Sequence, residues 1–254
     1  MKVKKTKFDY FEIHTIDTDG AVNKAISQGE LWEPHIINFL KVNHNKEENF
    51  IDAGSNFGWH SLIASKFFNQ VYSFEPQKLL CELQEQSVKD SNISNIKIYN
   101  VGLGEAEYTS SLTPAFYQEP NFNTGAICIG SGGNTIEIKT LDSYNFNNID
   151  TIKIDVQCYE DKLISGATKL ISTHKPNLIV ELECNSEFVF SQLRRLDYYC
   201  FYLDYSYPVD HVFVHYSKLK EFRKNNEKYI FPHNTTNHYN NNVENGVFEK
   251  LCYV

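Results

Sequence analysis

Between Asn49 and Glu183, short apolar runs alternate with stretches of helical spacing, and this alternation limits the possible folds more than any other feature of the chain. NFIDA (49–53) reads as a short buried strand stopped by Gly54. In HSLIASKFF (60–68) the apolar residues Leu62, Ile63, Phe67 and Phe68 have helical spacing. VYSF (71–74) is a second strand, closed by Glu75-Pro76, and Leu79, Leu80, Leu83 and Val88 mark the next helix. IKIYNV (96–101), TIKIDV (151–156) and NLIVEL (177–182) are three more strands. Leu163, Ile164, Ala167, Leu170 and Ile171 give a helix between the last two, ended by Lys175-Pro176. Strands joined through helices by short connections run parallel, with right-handed crossovers. The expectation is a doubly wound α/β domain.

Two stretches break this rhythm. Residues 104–142 hold turn signals (Thr113-Pro114, Glu119-Pro120, Gly130-Ser-Gly132-Gly133) and no strong helix pattern. A connection that long needs structure of its own, and the alternation in Thr135–Lys139 predicts a β-hairpin excursion at one end of the sheet. After Glu183, residues 186–197 and 217–228 read as helices. Tyr198–Leu203 and His211–His215 read as strands around a Tyr207-Pro208 turn, too close together for a crossover, so this pair is antiparallel. The prediction is one domain with a mostly parallel seven-stranded sheet ending in an antiparallel pair. Residues 1–48 form a lead-in packed on the core, 49–216 the core with its hairpin insertion at 104–142, and 217–254 an extension of the same domain.

The chemistry concentrates in Asp52-Ala53-Gly54-Ser55-Asn56-Phe57-Gly58, where a strand runs through two glycines into a helix start. Gly54 permits a sharp turn and close approach of a ligand to the backbone; Gly58 permits close packing at the helix start. Glu75, 23 residues after Asp52, ends the second strand, where an acid accepts hydrogen bonds from both ribose hydroxyls of a nucleoside. A dinucleotide needs G-x-G-x-x-G so that its pyrophosphate lies on bare backbone. This loop is D-x-G-x-x-x-G, with an acid before the first glycine. That suits S-adenosylmethionine (SAM), which carries a sulfonium and an ammonium instead of phosphate. Together with Glu75 and the terminal antiparallel pair, the loop points to a class I methyltransferase.

Seven blocks then follow in order: DAGSNFG (52–58), SFEP (73–76), NVGLG (100–104), KTLD (139–142), KIDVQCYE (153–160), ISGA (164–167) and KPNLIVELE (175–183). They resemble the landmarks of FkbM-type SAM-dependent methyltransferases over roughly residues 30–215, and QGELWE (28–33) resembles the family's lead-in. The resemblance implies O-methylation of hydroxyls on sugars, glycans or glycosylated natural products, so the expected partner is a carbohydrate or glycoconjugate acceptor. The family's K-I-D-V-E-G-x-E becomes Lys153-Ile-Asp155-Val156-Gln157-Cys158-Tyr159-Glu160 here. Gln157 loses a charge and Cys158 adds a Cβ where glycine stood, which leaves open a catalytically degenerate SAM-binding or scaffold protein. The missing third glycine argues against a dinucleotide-dependent oxidoreductase.

The expected cofactor-binding residues are Asp52, Ala53, Gly54, Ser55, Asn56, Gly58, Glu75, Pro76 and Asp155, with Val101, Gly102 and Leu103 against the adenine. Methyl transfer from a sulfonium to a hydroxyl requires the two atoms aligned and a base or acceptor for the proton. Asp155, at a central strand tip, is one candidate base; its alternative role is to hold the methionine ammonium. His60 at a helix start, where imidazolium is disfavoured, is the other, with packing or a place in the cofactor shell as its alternative. Trp32, Phe116, Tyr117 and Phe122 read equally as sugar-stacking or core residues.

The net charge of −8 makes sequence-independent binding to nucleic acid a poor expectation. The N-terminus begins basic but lacks a signal peptide's apolar stretch, and no window approaches the ~18 apolar residues of a membrane span. A cytoplasmic protein without membrane attachment is expected, so the glycosylation patterns at Asn92 and Asn234 read as chance. Cys81, Cys128, Cys158, Cys184, Cys200 and Cys252 are widely and irregularly spaced, which reads as free thiols in a reducing compartment. No metal is expected: on a strand His211 and His215 lie ~13 Å apart, and His233 and His238 sit in a polar segment.

Overall fold

The computed structural model describes residues 1–130, 132–204, 207–226 and 231–232. The chain opens with a hairpin of β1 (Val3–Phe8) and β2 (Phe11–Ile16), followed by α1 (Val22–Ser27) and α2 (Pro34–Asn43). The alternating region then runs through β3 (Asn49–Ala53), α3 (Trp59–Ala64), β4 (Gln70–Phe74), α4 (Lys78–Asp90) and β5 (Ile96–Tyr99). A small three-stranded sheet follows, made of β6 (Gly102–Leu103), β7 (Tyr108–Ser111) and β8 (Thr135–Lys139). The chain returns to the main sheet through β9 (Ile149–Ile154), α5 (Glu160–Ser165), α6 (Thr168–His174) and β10 (Asn177–Glu181). It closes with α7 (Ser186–Arg195), β11 (Tyr198–Asp204), β12 (Tyr207–His215), α8 (Leu219–Asn226) and β13 (Phe231–Pro232).

The main sheet has the order β13-β11-β12-β10-β9-β3-β4-β5, parallel from β10 to β5 and antiparallel at the β11–β13 end. Every residue of β3 and β9 is buried, as continuous apolar strands covered on both faces must be. One face packs Ile152, Ile154 and Val180 under Leu163, Ile164, Ile171 and Leu193 of α5–α7. The other packs Phe50 and Val212 under Ile36, Leu40 and Phe222 of α2 and α8.

Chain order runs outward from β3 to β5 and resumes at β9 on the opposite side of β3, so the switch point lies between the β3 and β9 tips. Ligands of open α/β sheets bind at that place. Ala53 pairs with Ile154, and Asp155 N donates to Ala53 O at 3.0 Å, so Gly54 and Asp155 leave the sheet side by side.

The expected parallel sheet, the antiparallel pair and the β7–β8 hairpin are all present. Several local expectations are corrected. An eighth strand, β13, pairs with Phe201 and Tyr202 on the outer edge of β11, an edge the seven-stranded reading left open. The third strand ends at Tyr99 instead of Val101, because the Asn100 amide donates to the Glu75 and Pro76 carbonyls (2.9 and 3.0 Å) and turns the chain into the small sheet. The helix expected over 60–68 stops at Ala64 and continues as turns. The helix through 163–171 divides at Gly166, which lies against the Gly104 carbonyl; a Cβ there would stand 2.0 Å from that oxygen. Tyr207 and Pro208 belong to β12 instead of a turn. The N-terminal hairpin, anchored by His14 N donating to Ser87 Oγ (2.9 Å), was not foreseen. Cys252, His233, His238 and Asn234 lie outside the described residues, as does most of the 217–254 extension.

Gly54 has φ +79°, and a Cβ on it would stand 1.8 Å from the Asp155 carbonyl oxygen. Glycine is required here by the approach of two strands before any ligand is considered. Gly54→Ala is expected to cost about 3 kcal/mol or more, from left-handed strain plus overpacking. Gly29, with a similar φ and open space around it, is the control, and Gly29→Ala should cost about 1–2 kcal/mol. Urea unfolding followed by circular dichroism measures both, and equal losses would remove the close-approach explanation.

Candidate active site

A solvent-open cleft lies at the switch point, where open α/β sheets bind their ligands. Gly54, Asn56, Glu75, Pro76, Val101, Gly102, Leu103 and Asp155 line it together. The strand–glycine–helix turn is held because Gly54 N and Ser55 N both donate to Phe74 O at 3.0 Å, joining the first loop to the end of β4. Glu75 is 3% exposed. Its carboxylate accepts from Asn56 N through one oxygen and from Gln77 N through the other, both at 2.9 Å. Burial pushes the Glu75 carboxyl up to about 7 against the opposing pull of those backbone bonds. Val101, Gly102 and Leu103 line the cleft together with Ile127 and Ile129, giving it an apolar part.

The remaining expected residues stand behind the cleft. Asp52 is fully buried and accepts from Ser61 Oγ at 2.7 Å. Ala53 is core. Ser55 Oγ accepts from Gln84 Nε2 at 2.9 Å, and Gly58 packs against the Gln84 side chain. His60 is 5% exposed, with Nε2 3.4 Å from Glu33 Oε2. Of the residues considered for stacking, Phe116 is 55% exposed and Trp32 packs against the core.

Sequence reasoning missed the far wall. Thr124 and Gly125 close over the cleft from a short 3-10 turn, Thr124–Ala126, inside the 104–142 excursion. The turn is fastened by Thr124 Oγ1 to Asp19 Oδ2 (2.9 Å) and by Gln77 Nε2 to Thr124 O (3.0 Å). The alternation of Ile127 and Ile129 was the only local signal available for this wall.

Asp155 lies in a dense electrostatic environment. Its Oδ2 accepts from Lys153 Nζ at 3.1 Å and its Oδ1 from Gln157 Nε2 at 3.0 Å. Burial alone would raise its pKa, but the Lys153 charge and the hydrogen bonds of Glu181, Gln157 and Lys153 outweigh it and hold Asp155 below the usual carboxylate range. Glu181 is raised by burial and by the neighbouring Asp155 charge. Gln157 Nε2 also donates to Glu181 Oε2 at 3.2 Å, so the residue standing where the family has Glu ties two strand tips together.

Gln157 and Cys158 both adopt left-handed conformations, φ 53° and 65°, which glycine would take without strain. A disulfide between Cys158 and Cys184, with Cα atoms 5.1 Å apart, holds this loop against the end of β10. This corrects the free-thiol expectation for that pair: residues 26 apart in sequence meet because β9 and β10 are neighbours. It also removes that pair as grounds for a reducing compartment. Cys81, Cys128 and Cys200 are free. His211 and His215 both lie on β12 as expected, and among the described residues no group of three or more His, Cys, Asp or Glu has metal-site geometry. No described helix is long and apolar enough to cross a membrane.

Against this geometry the Methyltransferase FkbM domain family matches residues 52–207, more than half of the chain. The chain belongs to the FkbM methyltransferase domain family. That family is one of methyltransferase domains. Among solved structures the chain is similar to a methyltransferase FkbM from Methylobacillus flagellatus KT (19% identity, 66% of this chain, 44% of that chain, TM-score 0.48). It is also similar to an rRNA methylase from Streptococcus thermophilus (14%, 71% and 93%, TM-score 0.46). A third is a Pyrococcus abyssi tRNA (uracil-54, C5)-methyltransferase in complex with S-adenosyl-L-homocysteine (12%, 84% and 44%, TM-score 0.47). The chain thus spans under half the length of the first and third of these. No curated protein matches it.

The buried acids give the ligand-free protein a pH signature. Glu75 and Glu160 are both raised by burial to about 7 from 4.5. A carboxyl with a raised folded-state pKa contributes stability that is complete below its unfolded pKa and is lost as pH rises through the folded one. The melting temperature should therefore fall between about pH 4.5 and pH 7 on account of these two groups. Glu75→Gln should flatten that slope in a calorimetric pH series, and an unchanged slope would show that Glu75 does not titrate there.

Proposed function

We propose that this FkbM-family protein transfers a methyl group from SAM to a hydroxyl of a sugar or glycan. The observation that carries the reading is the switch-point cleft, which combines a buried acid just past β4 with an apolar lining past β5. When bound, SAM supplies an electrophilic methyl on a sulfonium. The donor set fits it: Glu75 keeps free lone pairs for the ribose hydroxyls, and the Val101–Leu103 backbone with Ile127 and Ile129 suits the adenine face. Gly54, Asn56 and the ionised Asp155 lie where the cationic methionine end belongs. The carbohydrate acceptor rests on the family resemblance, and the net charge of −8 speaks against a nucleic-acid acceptor.

Asp155 is the holder of the methionine end. Held ionised by Lys153, it binds a proton poorly, and an effective base has a pKa near the working pH. The acceptor's proton leaves on the side of His60, which burial and the Lys153 charge keep neutral. A SAM-binding scaffold is the second reading, favoured by Gln157 and Cys158 at the site where the family has Glu-Gly.

Calorimetry with S-adenosylhomocysteine (SAH) tests the cofactor assignment. Glu75→Ala should weaken binding at least about tenfold, the scale of one or two charge-assisted hydrogen bonds. Unchanged affinity in a folded variant would refute the ribose contact, and binding of NAD but not SAH would refute the cofactor. Asp155→Asn should weaken SAM yet leave turnover at saturating cofactor within about threefold, whereas loss of a positioned base costs ~10²-fold or more. Thermal melts must accompany it, because the variant leaves Lys153 buried without its partner.

A further inference from the structure

Behind the methionine end of the cleft, three buried polar atoms from three elements lack hydrogen-bond partners: Glu33 Oε2, Asp52 Oδ1 and His60 Nε2. Their side chains are deeply buried, Glu33 10% and His60 6% exposed, and Asp52 fully inaccessible as a residue. Leaving one such group unsatisfied costs about 1–3 kcal/mol. Glu33 also has a left-handed backbone, φ 47° and ψ 61°, at the residue before α2. Non-glycine residues hold that conformation where the surroundings demand it, and such strain gathers at functional sites. The lead-in is pinned there by Trp59 Nε1 donating to Trp32 O at 2.9 Å, which brings Glu33 over the start of α3 beside His60.

We propose that Glu33 takes the proton of the acceptor hydroxyl and that His60, in contact with the same carboxylate, positions it. The inference rests on the O-methyltransferase reading and names the base within it. As the acceptor oxygen bonds to the methyl carbon, its proton passes to the Glu33 carboxylate. The carbon–sulfur electron pair stays on sulfur, turning the sulfonium into a neutral thioether. His60 Nε2, 3.4 Å from Glu33 Oε2, orients the carboxylate through this approach.

The charges that face the pair come from every side: Lys153 on β9 and Asp155 just past its end, Asp52 on β3, Asp210 on β12 and His35 on α2. Burial is the largest influence on Glu33, and with the surrounding acids it outweighs Lys153 and brings the carboxyl to about 8. That is close to working pH, as a general base requires, whereas Asp155 is held far below it.

The test uses the full chain with glutamate side-chain carboxyls labelled with ¹³C, the Glu33 signal being the one lost in Glu33→Gln. In the SAH complex this signal should titrate near 8, and its midpoint should move in His60→Ala. In parallel, SAH release from SAM is followed with a panel of methyl glycosides as acceptors. Wild-type kcat/KM should rise with pH to a plateau above about 8. Glu33→Gln should lose that limb and at least ~10²-fold in rate while binding SAH with wild-type affinity, and Glu33→Asp should recover part of the rate. A Glu33 carboxyl that titrates in the ordinary range, or Glu33→Gln with a wild-type rate and pH profile, overturns the assignment. A wild-type protein that binds SAH but methylates no glycoside overturns the hydroxyl reading itself, and with it the role of Glu33.

Discussion

Lys153 is the one lysine or arginine buried among the described residues, and the active end of the sheet depends on it. It sits on β9 opposite Asp52 of β3 and binds Asp155, the first residue past the end of that strand. A buried ion costs several kcal/mol unless partners satisfy it. The same cation lets Asp155 stay ionised at the cleft while Glu33 and Glu181 are pushed upward by burial. One charge thus sorts neighbouring acids into a permanent anion and carboxyls that hold protons, a separation of roles that acid–base sites commonly use.

Around that centre the walls come from distant parts of the chain. The family blocks supply the floor: the β3 loop, the β4 acid and the β9 tip. KTLD has a structural task, since Asp142 accepts from Lys169 N and Leu170 N and caps α6. The roof is Thr124–Ala126, fastened to Asp19 of the N-terminal region and to Gln77. The Cys158–Cys184 disulfide and the Gln157 amide brace the β9 loop against β10, where the family's Glu-Gly is absent. Two left-handed residues in succession are tolerable there because a covalent bond and two hydrogen bonds surround them.

Much of this was legible in the sequence because strand and helix periodicities are local. Each parallel strand was placed from its own apolar run, and Gly54 and Glu75 were found from spacing alone. What was missed depended on non-local contacts. Gly166 divides a helix because Gly104 lies against it, and the disulfide forms because two strands are adjacent. Asp52, Ser55 and Gly58 belong to the right loop, yet their side chains or Cβ positions meet Ser61 and Gln84 instead of the cleft.

The sequence by itself determined the doubly wound sheet and the glycine loop and acid that line the cleft at its carboxyl edge, because these follow from hydrophobic period, chain direction and the residues after the first two strands. Tertiary structure decided which acid is ionised and which holds a proton. Asp155, Glu75 and Glu33 are all carboxylic acids in the sequence. Burial, the distance to Lys153 and the backbone amides that reach each one push their proton affinities apart, and those quantities exist only once the chain has folded.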